Sequence, residues 1–232
     1  MWQIIVENWR FLLIGTFPNG PIGGLAMTLL IAITSLAITF PFAILVALAR
    51  SMGPKWARVT ATVYVTILRG CPLLLLLLWI YFYLPVLLGF PLSPFLTLVI
   101  AIVIFQTAYL SEVIRGGIEA LPKGQTEAAL SLGLKRWAII WKIILPQALY
   151  NVIPGIINQF TAVVKETSLA YVIALAELTY SATQINNILM TKPLEVYLIL
   201  AGMYFVVCYA LSSLAAYLDR AIARNRNQGQ VT

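Results

Sequence analysis

GQTEAALSLGLKRWAIIWKIILP, residues 124–146, is the one long stretch between apolar runs that carries real charge. Lys135, Arg136 and Lys142 share it with a single acid, Glu127. Leu130, Leu134, Trp137, Trp141 and Ile144 recur at three- and four-residue steps, which places them on one side of a helix. Gly133 interrupts the pattern and Pro146 lacks a backbone donor. The spacing therefore predicts a short helix, a bend, and a second helix stopped by Pro146. A helical stretch this polar cannot cross hydrocarbon. It lies at or beyond a membrane surface, where another protein can touch it.

The chain around it is built for lipid. Of 232 residues, 61% are hydrophobic and only 10% charged, with a mean hydropathy of +0.93. No soluble domain of this size needs so much apolar surface. One spanning helix takes ~20 apolar residues, which leaves room for roughly four to six spans and no large soluble domain. Histidine is absent, which removes the commonest metal ligand and general base. Cys71 and Cys208 sit in separate apolar runs and form neither a metal spacing nor a disulfide framework. No G-x-x-x-x-G-K-[ST] phosphate loop occurs, so energy from ATP has to come through another chain. The N-terminus, MWQIIVENWRFLL, lacks a basic n-region and a small-residue cleavage site, and reads as a retained interfacial helix with Trp2 and Trp9 at headgroup depth.

Five apolar runs read as spans, at about 22–49, 59–84, 95–115, 148–175 and 194–218. Three domains follow: an interfacial segment 1–20, a transmembrane domain 21–220 holding the charged loop 122–146, and a tail 221–232. Arg69 falls inside the second run, ahead of Gly70-Cys71-Pro72. It either faces protein or water, or snorkels to the headgroups. Gln106, Tyr109 and Glu112 share a polar face of the third run, and Glu112 can pair with Arg115. The fourth run contains Gln159, Lys165, Glu166, Thr167 and Ser168. Either the helix ends near Val164 with a wet outer loop, or a broken helix lines a cavity. Residues 177–194 read as an outer loop or a helix lying flat, and the tail from Asp219 as frayed chain.

Basic residues set the orientation. Arg50, Lys55, Arg58, Arg115, Lys123, Lys135, Arg136, Lys142, Arg220, Arg224 and Arg226 fall on one face; only Arg10 and Lys192 fall on the other. By the positive-inside rule the crowded face is cytoplasmic, with the N-terminus outside and the C-terminus inside.

Glu127-Ala128-Ala129, three residues, Gly133, nine residues, Ile143, one residue, then Leu145-Pro146 resembles the EAA loop of ABC-importer permease subunits. Other stretches are similar to the polar-amino-acid subfamily of those permeases. They are Arg69-Gly70-Cys71-Pro72-Leu73-Leu74, Ala108-Tyr109-Leu110 through Arg115-Gly116-Gly117-Ile118, Gly124-Gln125, Lys165-Glu166-Thr167-Ser168-Leu169, and Glu177-Leu178. Together they cover about residues 20–220. Cys71 stands where the subfamily usually has threonine, and Glu166 where it has aspartate.

The resemblance implies an all-α, multi-pass protein of the bacterial inner membrane, with a periplasmic N-terminus, a cytoplasmic C-terminus and no enzymatic activity of its own. Its expected partners are an ABC ATPase dimer, a second permease subunit, identical or paralogous, and a periplasmic binding protein that delivers an amino acid. ATP and magnesium are expected on the ATPase, with no cofactor in this chain. Glu127, Ala128, Ala129, Gly133, Leu145 and Pro146 are the expected coupling residues.

A zwitterion needs both its charges met in a low-dielectric cavity. Glu166 suits the ammonium, Arg69 or Lys165 the carboxylate, and Gln106, Gln159, Thr167 and Ser168 supply neutral hydrogen bonds. The rival is that Lys165 and Glu166 pair with each other or with a neighbouring subunit. Two other functions stay open from sequence: an ion-coupled secondary transporter, and a membrane anchor or sensor for a cytoplasmic partner.

Overall fold

Inside hydrocarbon a backbone must satisfy its own hydrogen bonds, and helices do so without leaving an edge. The computed structural model describes residues 1–228, and they are helical apart from short joints. In order the helices are α1 (Trp2–Ile14), α2 (Gly24–Met52), α3 (Lys55–Gly70), α4 (Leu73–Leu88), α5 (Pro94–Glu119), α6 (Lys123–Ser131), α7 (Arg136–Ile139), α8 (Leu145–Glu166), α9 (Leu178–Leu189) and α10 (Pro193–Gln228). Ile140–Ile144 forms a π-helical turn joining α7 to α8, and Thr167–Ile173 a 3-10 segment after α8. Gly24–Met52, Pro94–Glu119, Arg136–Ile173 and Pro193–Arg224 are each long and apolar enough to cross a membrane. The number rises to 5 if α3 and α4 count as one broken span.

Four of the five predicted spans thus appear as continuous helical runs, and the second does not. It breaks at Cys71-Pro72, because proline lacks the donor the next helical bond needs and forces the residue before it out of the α region. Pro72 itself is extended, at φ −67° and ψ 135°, and opens α4 instead of continuing α3. Arg69 therefore sits in the last turn of a helix, not in the middle of one.

Pro146 does not stop a helix either. It lies in the first turn of α8, where a missing donor costs nothing within the helix. The π turn just before it widens the ladder, which carries the preceding carbonyls clear of the proline ring. Farther on, α8 passes through Lys165 and Glu166 and tightens into the 3-10 segment, so no loop forms at Val164. Residues 178–189 are helix, and α10 continues through the expected frayed tail to Gln228, with 229–232 outside the described residues.

The chain divides into two compact units. One comprises Met1–Ile38, Cys71–Phe105 and Phe160–Leu211; the other comprises Thr39–Gly70, Gln106–Gln159 and the chain from Ser212 on. In the first, Ile4 and Leu12 of α1 pack with Leu178, Ala182 and Ile185 of α9 and with Val196 and Ile199 of α10. Trp2 and Trp9, on the far side of α1, stay 76% and 55% exposed, as an interfacial helix requires. In the second, α5 and α8 approach closely at Gly117, where an added Cβ would come within 2.4 Å of the Val152 side chain.

Candidate functional site

Three clusters carry the polar chemistry, and each lies within one unit. The first is the elbow between α6 and α7. Gly133 adopts φ +78°, a conformation that favours glycine. Its amide donates to the Leu130 carbonyl at 2.9 Å and the Leu134 amide to the Ala129 carbonyl at 3.1 Å. These crossed bonds are the Schellman closure of a helix, and they reverse the chain so that α7 begins three residues later at Arg136.

Of the six expected coupling residues, Ala129 and Leu145 are buried and anchor the elbow, whereas Glu127, Ala128, Gly133 and Pro146 are exposed. Leu132 at 81% and Trp137 at 69% exposure project from it, with Lys135, Arg136 and Lys142 around them. Trp137 and Trp141 pack ring to ring at 5.2 Å. This apolar knuckle with a basic rim, held by a fixed turn, is exposed surface and not core.

The second cluster gathers around Glu112 on α5. Its carboxylate accepts from Arg50 at the end of α2, and from Nε and an Nη of Arg115 at 3.0 and 3.1 Å. Arg69 stands 3.7 Å away, and Arg115 also pairs with Glu119 at 2.5 Å. The pair expected from the three-residue spacing is thus one edge of a larger network. Arg69 lies over the Tyr109 ring, 5.4 Å from its centroid, and the Tyr109 hydroxyl donates to the Arg69 carbonyl at 3.4 Å. This arrangement holds the last turn of α3 beside the break. It leaves Arg69 half exposed and bonded to Glu112 only loosely, with donors to spare for an anion. One turn back on α5, the buried Gln106 accepts a hydrogen bond from Gln159 of α8, so the structure brings these two candidates together.

The third cluster lies in the first unit. Lys165 is exposed and Glu166 half-buried at the end of α8. Ser168 donates to the Lys165 carbonyl at 2.7 Å and Thr167 to the Val164 carbonyl at 2.8 Å. Thr167 is fully buried, so its hydroxyl serves the helix and has no open face toward a cavity.

Close by in sequence is the residue that sequence reasoning missed, Glu177. It is fully buried. Its carboxylate accepts from the Thr179 and Tyr180 amides, both at 2.8 Å, and from the Tyr204 hydroxyl of α10 at 3.0 Å, with the Thr28 hydroxyl of α2 at 3.5 Å. Glu177 thereby caps α9 and ties α2, α9 and α10 together, and no lysine or arginine pairs with it among the described residues. It lies outside the four spanning runs. Burial pushes its carboxyl up to about 7, against the pull of those amides and of Tyr204. A lone acid just ahead of Leu178, Ser181, Ala182 and Ile185, a helical repeat, was the available signal.

Among the described residues, no three His, Cys, Asp or Glu side chains stand close enough to hold a metal ion.

Residues 39–224 match the family described as binding-protein-dependent transport system inner membrane component. An inner membrane amino-acid ABC transporter permease protein of Escherichia coli (strain K12), YhdY, is 36% identical over 88% of this chain; the chain spans 57% of that relative's length. A probable glutamine ABC transporter permease protein of Bacillus subtilis (strain 168), GlnP, is 38% identical over 84% of this chain and 90% of its own. A crystal structure of an amino acid ABC transporter with histidines superposes with a TM-score of 0.76 at 34% identity, covering 85% of this chain and 92% of that one.

Proposed function

This chain belongs to the family of binding-protein-dependent transport system inner membrane components, as a multi-pass permease subunit of an ABC importer, and we propose that its cargo is a polar amino acid. The relatives' names speak for ATP-driven import and do not favour ion coupling or a purely anchoring role. ATP hydrolysis, with its magnesium, belongs to a separate ATPase dimer. A second permease and a periplasmic binding protein complete the assembly. The N-terminus faces the periplasm, and the elbow faces the cytoplasm.

The observation that carries this reading is the α6–Gly133–α7 elbow. A helix end fixed by crossed hydrogen bonds presents Leu132 and Trp137 to solvent beside three basic side chains. A rigid apolar knuckle transmits a push from a partner groove, where a flexible loop would absorb it. Closure of the ATPase dimer on ATP moves the elbow, and the permease switches between two packings of its helices.

The cargo's charges are met in two ways. Lys165 and Glu166, adjacent at the end of α8, offer a carboxylate partner and an ammonium partner within one turn. Arg69, half exposed with donors beyond its contact to Glu112, and Gln159, half-buried on α8, are separate polar candidates for a carboxylate, whereas the buried Gln106 serves to hold Gln159. The test uses the full transporter reconstituted with its ATPase and binding protein. Glu166→Gln removes a charge-assisted bond, so substrate affinity in stimulated ATPase falls by about tenfold or more. Unchanged affinity and stimulation would rule out the ammonium contact.

A further inference from the structure

The two carboxylate oxygens of Glu177 keep different company. Oε1 accepts from the Tyr180 amide. Oε2 accepts from the Thr179 amide, the Tyr204 hydroxyl and, at 3.5 Å, the Thr28 hydroxyl. The Tyr204 hydroxyl is itself a junction. Thr179 Oγ1 lies 3.1 Å from it, and the Thr167 hydroxyl reaches it from the 3-10 segment. Thr167 also donates to the Val164 carbonyl at 2.8 Å. A line of oxygens thus runs from Glu177 through Tyr204 to Thr167, the residue next to Glu166. All of these residues belong to the first unit.

No cation pairs with the carboxylate among the described residues. Facing it are Thr28 from α2, the Thr179 and Tyr180 amides of α9, and Tyr204 from α10. Helix α9 carries no charged side chain. Glu7 and Arg10 of α1 are exposed, Glu195 of α10 pairs with the Met1 amino group, and Lys192 precedes α10. Lys165 acts on Cys208, one turn past Tyr204, which sets the end of α8 beside this stretch of α10.

An ionised carboxylate only accepts, so the Tyr204 proton points to it and the Tyr204 oxygen accepts from Thr179 and Thr167. Thr167 then divides one proton between Tyr204 and the Val164 carbonyl. A neutral carboxyl carries a proton of its own, taken up from water. On Oε1 that proton would meet the Tyr180 amide, another donor; on Oε2 it finds the Tyr204 oxygen at 3.0 Å. Tyr204 must then turn its own proton away, and Thr167 gives its proton wholly to Val164. We infer that Glu177, Tyr204 and Thr167 form a hydroxyl relay that tightens the Lys165–Glu166 turn when Glu177 takes up a proton and loosens it when the proton leaves. Burial brings this carboxyl to about 7, so the change falls near neutral pH. As regulation of a cargo site, the relay rests on the amino-acid reading above.

Two measurements on the reconstituted full transporter test it. Hydrogen exchange across residues 167–173, without cargo and corrected for the intrinsic rate, reads the relay. Protection should be about fivefold greater at about pH 6 than at about pH 8, the worth of one hydrogen bond. Tyr204→Phe keeps the ring, removes the junction hydroxyl and should erase the difference. Thr167→Val, of similar shape, should erase it too, and Thr167→Ser, which keeps a hydroxyl, should retain it. Cargo affinity in stimulated ATPase should follow the same course, tighter by about fivefold at the lower pH in the native chain and in Thr167→Ser. No exchange difference in the native chain, or one that survives in Tyr204→Phe, overturns the relay. An exchange difference with cargo affinity flat across pH overturns its hold on the cargo turn. Because exchange is read without cargo, unchanged affinity in Glu166→Gln removes the ammonium contact and leaves the relay standing, whereas a missing exchange difference leaves that contact standing.

Discussion

Glu177→Ala should destabilise the first unit most at low pH and least at high pH. The sign follows from burial. The carboxyl is raised from 4.5 to about 7 in the folded chain. A raised acid binds its proton more tightly when folded, so folding is favoured fully below the unfolded value. That advantage is lost as pH climbs through the interval, about 3 kcal/mol in all. Alanine carries no such dependence. It removes the cap of α9, at about 1 kcal/mol. It also takes one acceptor each from the half-buried Tyr204 and buried Thr28 hydroxyls, at about 1 kcal/mol apiece. Together these give a net loss of roughly 2 kcal/mol near pH 5 that shrinks to about zero near pH 8. Reversible unfolding in mixed micelles measures the total. Hydrogen exchange at the Thr179 and Tyr180 amides, the two the carboxylate holds, reports the local part. A loss that stays flat or grows with pH would refute the reasoning, because it would mean that the amide bonds outweigh burial and that the carboxylate is the stabilised form.

Other outcomes follow from the same geometry. Gly133→Val forces a β-branched residue into the left-handed region at about 1–2 kcal/mol; uptake should fall while the amount of protein in the membrane stays near normal, and uptake at the normal rate would remove the elbow from the coupling path. The charge Gly133→Asp would introduce lies on an exposed surface, so its effect should track salt concentration, which a buried charge would not. Glu112→Gln strands Arg50 in a half-buried site, while Arg115 keeps Glu119, and should cost about 2 kcal/mol of stability in the second unit; a double variant that also replaces Arg50 by glutamine should recover part of that loss in the same unfolding assay.

Much of this protein is legible along the chain. Apolar runs of span length have one low-energy solution in lipid, so composition alone established a multi-pass helical protein. The spacing of Leu130, Leu134 and Trp137 around Gly133 placed a helix, a turn and a helix. The turn was readable because a left-handed C′ position nearly demands glycine. That this elbow is a coupling surface came only from the resemblance of Glu127-Ala128-Ala129 and Leu145-Pro146 to the EAA loop, and it is part of the proposed function.

What the chain could not reveal depends on partners far apart in sequence. Proline reads the same whether it ends a helix or begins one. Only the folded chain separates Pro72, which breaks a span, from Pro146, which the π turn lets the helix absorb. Glu112 looked like half of a local pair because Arg115 is three residues away, whereas Arg50 and Arg69 reach it from other helices. Glu177 looked like a loop acid because nothing near it in sequence discloses Thr28 or Tyr204. Local periodicity fixes which face of a helix is apolar. Which buried charge meets which donor is fixed only when distant helices pack, because hydrogen bonds act over a few ångströms of space and take no account of distance along the chain.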